Sequence, residues 1–408
     1  MSFSSFGFSQ VISQSLEENS YTQATAVQTE VIPLVLKGND IMAKAQTGSG
    51  KTASFVLPIV QKLLLTTPKK KPKPRVLVLT PTRELTLQVA NTFEIFSKHF
   101  PKKLQVVSVV GGQSIGDQLL DIQKGCDVIV ATTGRLIDII GKKQINLDTL
   151  EYFVLDEADK MLDLGFADEL NVILDLLPSK RENLLFSATY PKKMLEIAKV
   201  ISSSFVNVEI QESKENLNNI TQRIIEVNKE NRSALLQKLI RDNEFEKVLV
   251  FMATKRATDN LSRKFRKYGF KADSFHGDLI QEDRNYTLDE FKRNDLQVLF
   301  STDIAARGLH VDDITCVVNY DLPRSAFDYT HRIGRTARAG KSGTAITFID
   351  HEDQAHFKLI EKRCELDVNK EQIEGFELKG EPVKRTKGPA PVKGKRKSKK
   401  DKLREQNK

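Results

Sequence analysis

Ala45-Gln46-Thr47-Gly48-Ser49-Gly50-Lys51-Thr52 follows the apolar run Ile41-Met42-Ala43 and precedes Ala53-Ser54-Phe55-Val56-Leu57, so it reads as a loop between a strand and a helix. A phosphate cradle has this context. Gly48 and Gly50 let the backbone curl until successive N–H groups point inward at phosphate oxygens, and the positive end of the following helix adds to the attraction. Lys51 is placed to reach the β and γ phosphates, and the Thr52 hydroxyl to ligate Mg²⁺. Ala45 stands where the pattern usually opens with Gly, which a strand end tolerates because its φ is negative.

Outward from the cradle, short β-branched runs alternate with stretches of helical period: Val76–Leu79, Val106–Val110, Asp127–Val130, Tyr152–Leu155, Asn183–Phe186 and Phe205–Val208. Buried parallel strands have this composition. A polar, aperiodic stretch near Gln211–Asn219 interrupts the rhythm, and a second series follows at Ile224–Val227, Val248–Phe251, Ala272–Phe275, Val298–Phe300, Thr315–Val318 and Ala345–Phe348. The expectation is two tandem α/β domains, 1–208 and 220–378, joined by a linker at 209–219. Only the first carries a cradle.

The chain has 408 residues, 39% hydrophobic and 29% charged, which suits a soluble two-domain protein. No apolar run approaches a membrane span and the N-terminus lacks the pattern of a signal peptide, so a cytoplasmic, membrane-free protein is expected. Cys126, Cys316 and Cys364 are odd in number and far apart, against disulfides or zinc. Charge is uneven. Residues 379–408 hold 13 Lys and Arg against 3 Asp and Glu, a net of +10, so with a whole-chain net of +9 residues 1–378 carry −1. Such a Pro-containing polycation is expected to be disordered and to attract nucleic-acid phosphates without reading sequence.

Asp156-Glu157-Ala158-Asp159 ends the strand Tyr152–Leu155, where ligands bind in open α/β sheets. Asp156 suits Mg²⁺, partly through water, and Glu157 suits a general base for an attacking water. Phosphoryl transfer also needs positive charge on the developing oxygens, and His331-Arg332-Ile333-Gly334-Arg335-Thr336-Ala337-Arg338 offers it from the second domain. Arg335 and Arg338 are three apart and share a face if the segment is helical.

With these motifs in order, the chain resembles a DEAD-box RNA helicase of superfamily 2 from Phe3 to about Leu359. The further signatures are the Q motif ending in Thr25 and Gln28, Pro81-Thr82-Arg83-Glu84-Leu85, Gly111-Gly112, Thr132-Thr133-Gly134-Arg135, Ser187-Ala188-Thr189, Val250-Phe251, His276-Gly277-Asp278, Gln281 with Arg284, and Ser301-Thr302-Asp303 with Ala306-Arg307-Gly308. The short basic tail is most similar to the bacterial RhlE-type branch. The resemblance implies two RecA-like domains and RNA-dependent hydrolysis of ATP with Mg²⁺, coupled to local duplex separation. It implies adenine recognition by Phe3, Tyr21 and Gln28, phosphate contacts along Ala45 to Thr52, and further nucleotide contacts at Gly308 and His310. Pro81, Thr82, Arg83, Gly112, Thr132, Gly134, Arg135, Arg284 and Thr302 would hold an RNA strand, Ser187 and Thr189 would couple hydrolysis to strand separation, and Arg335 and Arg338 would be arginine fingers beside Lys51 and Glu157. A monomer is expected, with ribosome assembly and RNA degradation as the candidate settings.

Three departures stand out. Ser20 and Ala24 replace the usual Gly and Pro of the Q motif, Thr133 replaces a common Pro and is expected to cap a helix, and His310 replaces an Asp that contacts the ribose. Two other readings stay open on residues alone: an ATP-gated RNA clamp, and a DNA-directed helicase, since phosphate attraction does not separate RNA from DNA.

Overall fold

The computed structural model describes residues 1–45, 49–66, 72–210, 219–306, 311, 313–337 and 341–381. Residues 211–218, within the expected linker, and 382–408, within the expected tail, lie outside these, as do Gln46, Thr47, Gly48, Arg307, Gly308, His310 and Arg338.

The first sheet comprises β1 (Ile41–Lys44), β2 (Val76–Leu79), β3 (Val106–Val109), β4 (Val128–Ala131), β5 (Tyr152–Leu155), β6 (Glu182–Ser187) and β7 (Val206–Glu209). The second comprises β8 (Ile220–Glu226), β9 (Val248–Met252), β10 (Ala272–Phe275), β11 (Val298–Thr302), β12 (Cys316–Asn319), β13 (Gly343–Ile349) and β14 (Lys370–Glu371). Their orders are β3-β4-β2-β5-β6-β1-β7 and β10-β11-β9-β12-β13-β8-β14. One becomes the other on adding seven to each number, and every described strand pairing within the two sheets is parallel. The two domains are the same architecture twice.

Burial explains the composition. All four residues of β2, β4 and β5 are buried, because helices cover both faces of a parallel sheet and no position is left for a polar side chain. The edges differ. In β7, Asn207 and Glu209 are exposed, and β14 is two polar residues, Lys370 and Glu371, which blunts the open edge beside β8.

The connecting helices leave their strands at the carboxyl ends, so the signature loops collect on one side of each sheet. Helix Lys51–Leu64 follows β1, Arg83–Phe96 follows β2, Thr133–Gly141 follows β4, and Ala158–Asp163 follows β5. At β4 the expectation about Thr133 is corrected. Thr132 holds the N-cap position with extended backbone and Thr133 is the first helical residue, the position Pro itself favours, so Thr133 substitutes for Pro without capping.

Ser20 explains its own departure. The helix Gln10–Glu18 closes with Tyr21 N–H donating to the Leu16 carbonyl, which needs a left-handed residue between them, and Ser20 adopts φ +59° there.

Candidate nucleotide and RNA cleft

The cleft is built from the carboxyl ends of both sheets. On the first domain the cradle leaves β1 at buried Ala45, and Gly50 precedes the helix at φ +93°, a conformation Gly alone adopts freely. A Cβ on Gly50 would also lie 2.5 Å from Gln28 Nε2 and 2.9 Å from Thr25 Oγ1, so the Q motif is pressed against the cradle. Gln28 donates from Nε2 to the Gly50 carbonyl (3.2 Å) and accepts the Thr25 N–H at Oε1 (2.9 Å), closing a capping box on the helix Ala26–Leu36. Phe3 is buried edge-on to Tyr21, and Tyr21 edge-on to Phe96.

Lys51 begins its helix buried, with Nζ donating 2.8 Å to the Ala45 carbonyl oxygen across the mouth of the loop. An oxygen acceptor already sits where a phosphate cradle presents its ammonium. Thr52 is the next residue of the same first turn.

At the end of β5, Asp156 and Glu157 are 2% and 3% exposed. Glu157 takes a left-handed backbone at φ +54°, the strained turn that swings the chain from strand to helix. Burial pushes the Asp156 carboxyl up, with Lys51 pulling against it. Burial opposes ionisation of Glu157 as well, but Lys160, Lys51 and, from the other domain, Arg335 outweigh it and hold that carboxyl below the ordinary range. Lys160 donates to Glu157 Oε1 at 2.5 Å, both side chains being buried. The two adjacent carboxyls are thus pushed in opposite directions, Asp156 up and Glu157 down.

Asp159 faces the other way. Its Oδ2 accepts from Thr189 N–H (2.9 Å) and Thr189 Oγ1 (2.8 Å), while Ser187 Oγ accepts the Asp159 N–H (3.3 Å) and donates to the Thr189 carbonyl (2.7 Å). Any shift of the acidic turn is therefore felt at Ser187 and Thr189.

From the second domain, helix Ala326–Ile333 carries His331 and Arg332, and it ends at Gly334. Arg335 therefore sits in the turn beyond the helix rather than on it, and the expectation of a helical face shared with Arg338 falls on a residue outside the described ones. Arg335 is 4% exposed and close enough to act electrostatically on Glu157 and Lys160. Arg332 grips Asp303 through two bonds (2.6 and 2.8 Å), the Asn319 amide oxygen (3.0 Å) and the Asp321 carbonyl (2.7 Å), which anchors the turn. Burial, reinforced by Lys160 and Arg335, pushes His331 well down, so it stays neutral, tilted against Phe327 at 3.9 Å between ring centres.

The strand-binding candidates line one rim. Thr82 caps the helix that starts at Arg83, accepting the Leu85 N–H (3.3 Å). Gly112 has φ +80°, and a Cβ there would be 2.3 Å from an Arg83 terminal nitrogen. Arg135 donates to the Gln113 carbonyl (3.0 Å). Pro81, Thr132 and Gly134 lie at the same carboxyl ends, and Thr302 ends β11 opposite. The two domains meet here: Arg83 donates to Gln281 Oε1 (3.1 Å) and Arg284 pairs with Glu84 at 2.7 Å, both charges largely buried. A cavity of about 650 Å³ opens between the domains, lined by Asp163, Thr189 and Pro191 on one side and Thr302, Asp303 and Arg332 on the other.

Models of the DEAD/DEAH box helicase and of the helicase conserved C-terminal domain match residues 25–197 and 231–340. The ATP-dependent RNA helicase CshA of Listeria monocytogenes is 38% identical over 88% of this chain and 68% of its own length. The chain belongs to the DEAD-box family of ATP-dependent RNA helicases. Its members are RNA-stimulated ATPases. Among solved DEAD-box structures, S. cerevisiae Dbp5 bound to RNA and ADP BeF3 superposes with a TM-score of 0.81, at 29% identity over 91% of this chain and 95% of that one. A variant of the same yeast protein bound to Nup159, Gle1, IP6 and ADP reaches 0.63, at 27% identity over 90% and 95%. In this chain the two domains are joined at the Glu84–Arg284 and Arg83–Gln281 seam.

Lys160 lies outside the quoted motifs, whereas Glu84, Asp303 and Arg332 lie inside them but had no role of their own. Lys160 had a signal, its place three residues after Glu157 in the first turn of the helix that Glu157 precedes. The pairing of Glu84 with Arg284 had none, being 200 residues apart in sequence.

Proposed function

We propose that this DEAD-box helicase works by domain closure: ATP and a single RNA strand bind across one cleft, and closing it completes the hydrolytic site while admitting only a single strand. The observation that carries this is Arg335, from one domain, lying within electrostatic reach of Glu157 from the other. In this reading Lys51 holds the β and γ phosphates, Glu157 takes a proton from the attacking water, and Arg335, with Arg338, meets the charge that develops on the transferred phosphoryl group. Lys160 keeps Glu157 ionised and aimed. The Thr52 hydroxyl and buried Asp156 fit Mg²⁺, which when bound would neutralise phosphate charge at this point. Gln28 would exchange the Gly50 carbonyl for the adenine edge, tying base recognition to the shape of the cradle, with Phe3 and Tyr21 framing it.

Pro81, Thr82, Arg83, Gly112, Thr132, Gly134 and Arg135 would hold the strand on the first domain and Arg284 and Thr302 on the second. Each ligand favours closure and so raises affinity for the other. A base step is worth on the order of 1.4 kcal/mol, taking DNA as the guide, so closure can melt a few steps and no more. Local remodelling of short duplexes or RNA–protein complexes follows, through Asp159, Ser187 and Thr189. The RhlE-type branch, a monomeric state and work in ribosome assembly or RNA degradation complete the proposal.

The test is ATPase stimulation by RNA and DNA oligonucleotides of one sequence. Stimulation by RNA alone supports the reading, and equal stimulation by DNA overturns the RNA restriction. ATP-dependent RNA binding without strand separation would favour a clamp.

A further inference from the structure

The helix Lys255–Lys267 carries six basic residues and one acidic one, in a chain whose residues 1–378 are close to neutral. Thr258, Leu261, Ser262 and Phe265 are buried on β10 and β11. Arg256, Asn260, Arg263, Lys264 and Lys267 are exposed, and their spacing of four, seven, eight and eleven from the first puts them on one outward stripe roughly 16 Å long at 1.5 Å per residue.

The acidic groups nearby are engaged locally, and Asp259 also acts on Arg263 through space. Asp259 Oδ1 accepts from Ser274 Oγ (2.6 Å) and faces His276 Nε2 (2.8 Å), Asp273 pairs with Arg266 (2.8 Å), and Asp278 pairs with Lys255 (2.5 Å). Among the described residues, no ion pair involves Arg256, Arg263, Lys264 or Lys267; Arg263 donates only to the Asp259 carbonyl and to Asn260. Tyr268, 53% exposed, lies one turn beyond Lys264. The helix that carries the stripe is tied to the cleft at its first turn. The Lys255–Asp278 pair joins its first turn to the segment that delivers Gln281 and Arg284 to the seam.

We propose that this outer face is a second RNA surface, which holds backbone phosphates of a duplex flanking the strand in the cleft. It rests on the RNA reading above. A straight, rigid line of cations suits the evenly spaced phosphates of a stiff duplex backbone, and with one exposed aromatic, Tyr268, it offers little on which unpaired bases could stack. Holding the flank while the cleft bends the strand would give closure something to pull against.

The test is the triple variant Arg263→Gln, Lys264→Gln, Lys267→Gln in the full chain, measured by anisotropy with a non-hydrolysable ATP analogue and two RNAs. One is a single strand that just fills the cleft; the other continues the same strand into a hairpin duplex. For the flanked RNA, the slope of log affinity against log salt falls by about 0.9 per lost phosphate contact, hence by 2 to 3, and affinity drops roughly tenfold or more at low salt. The short strand changes less than about twofold. The charge-preserving variant Arg263→Lys, Lys264→Arg, Lys267→Arg keeps the parental slope. An unchanged slope on the flanked RNA, or equal losses on both RNAs, overturns the surface. A parent chain that bound neither RNA would overturn the RNA reading itself.

Discussion

Glu84→Ala separates closure from simple charge attraction. In this structure Glu84 accepts from Arg284 across the seam at 2.7 Å, with side-chain exposures of 9% and 11%, and also lies 3.4 Å from Gln281 Nε2. A hydrogen bond to a charged group is worth about 1.5 to 3 kcal/mol when its loss leaves the partner buried and unpaired. That loss falls on the closed form alone, because opening returns both groups to water. The closure constant should therefore drop by about 10- to 100-fold, and apparent RNA affinity in the presence of ATP with it. The sign is diagnostic. Removing a negative charge beside a phosphate-binding rim would by attraction alone strengthen RNA binding. The assay is RNA-stimulated ATPase titrated with RNA, with nucleotide affinity measured separately in the absence of RNA. We expect half-saturating RNA to rise at least tenfold and nucleotide affinity to stay within about twofold. RNA affinity that is unchanged or higher would refute the reasoning.

Three further outcomes follow from single residues. Ser20→Gly relieves a left-handed serine and should stabilise the first domain by about 1 kcal/mol, read as a rise of about 2 to 4 °C in its thermal midpoint; no rise would mean the turn is unstrained. Lys160→Met removes the charge that favours ionised Glu157, so the base's pKa rises and the ascending limb of the kcat–pH profile moves to higher pH, with a greater loss of rate at low pH; an unmoved limb would mean Lys160 does not act on the base. Gly343→Ala would set a Cβ 2.0 Å from Thr336 Oγ1 and 2.9 Å from the Ala337 nitrogen. A backbone nitrogen cannot swing aside, so the turn holding Arg335 shifts, and kcat should fall about 10- to 100-fold with KM for ATP little changed; a change in KM alone would place the damage elsewhere.

Much of the architecture was legible because parallel strands buried on both faces must be short, continuous and apolar, as Val76-Leu77-Val78-Leu79 and Val248-Leu249-Val250-Phe251 are. Where a strand sits at or near an edge that signal fades. β8 begins at Ile220, earlier than the apolar run Ile224–Val227 suggests, since Thr221, Gln222 and Arg223 pair without alternation, and β14 offers only Lys370 and Glu371. Motif spelling located the cradle and the acidic turn because phosphate geometry allows few residue types there. It could not give pairings formed only when two domains meet, such as Glu84 with Arg284, nor that Gly334 ends the helix before Arg335. Gln28 carried two messages: its place three residues after Thr25 spelled a capping box as well as an adenine contact, and the structure shows the first.

The most direct test is a crystal structure of the chain with a non-hydrolysable ATP analogue and an RNA oligonucleotide. Domain closure predicts the γ-phosphate held between Lys51 and Glu157 on one side and the Arg335 guanidinium on the other. A γ-phosphate with Arg335 directed away from it in every copy would contradict the account.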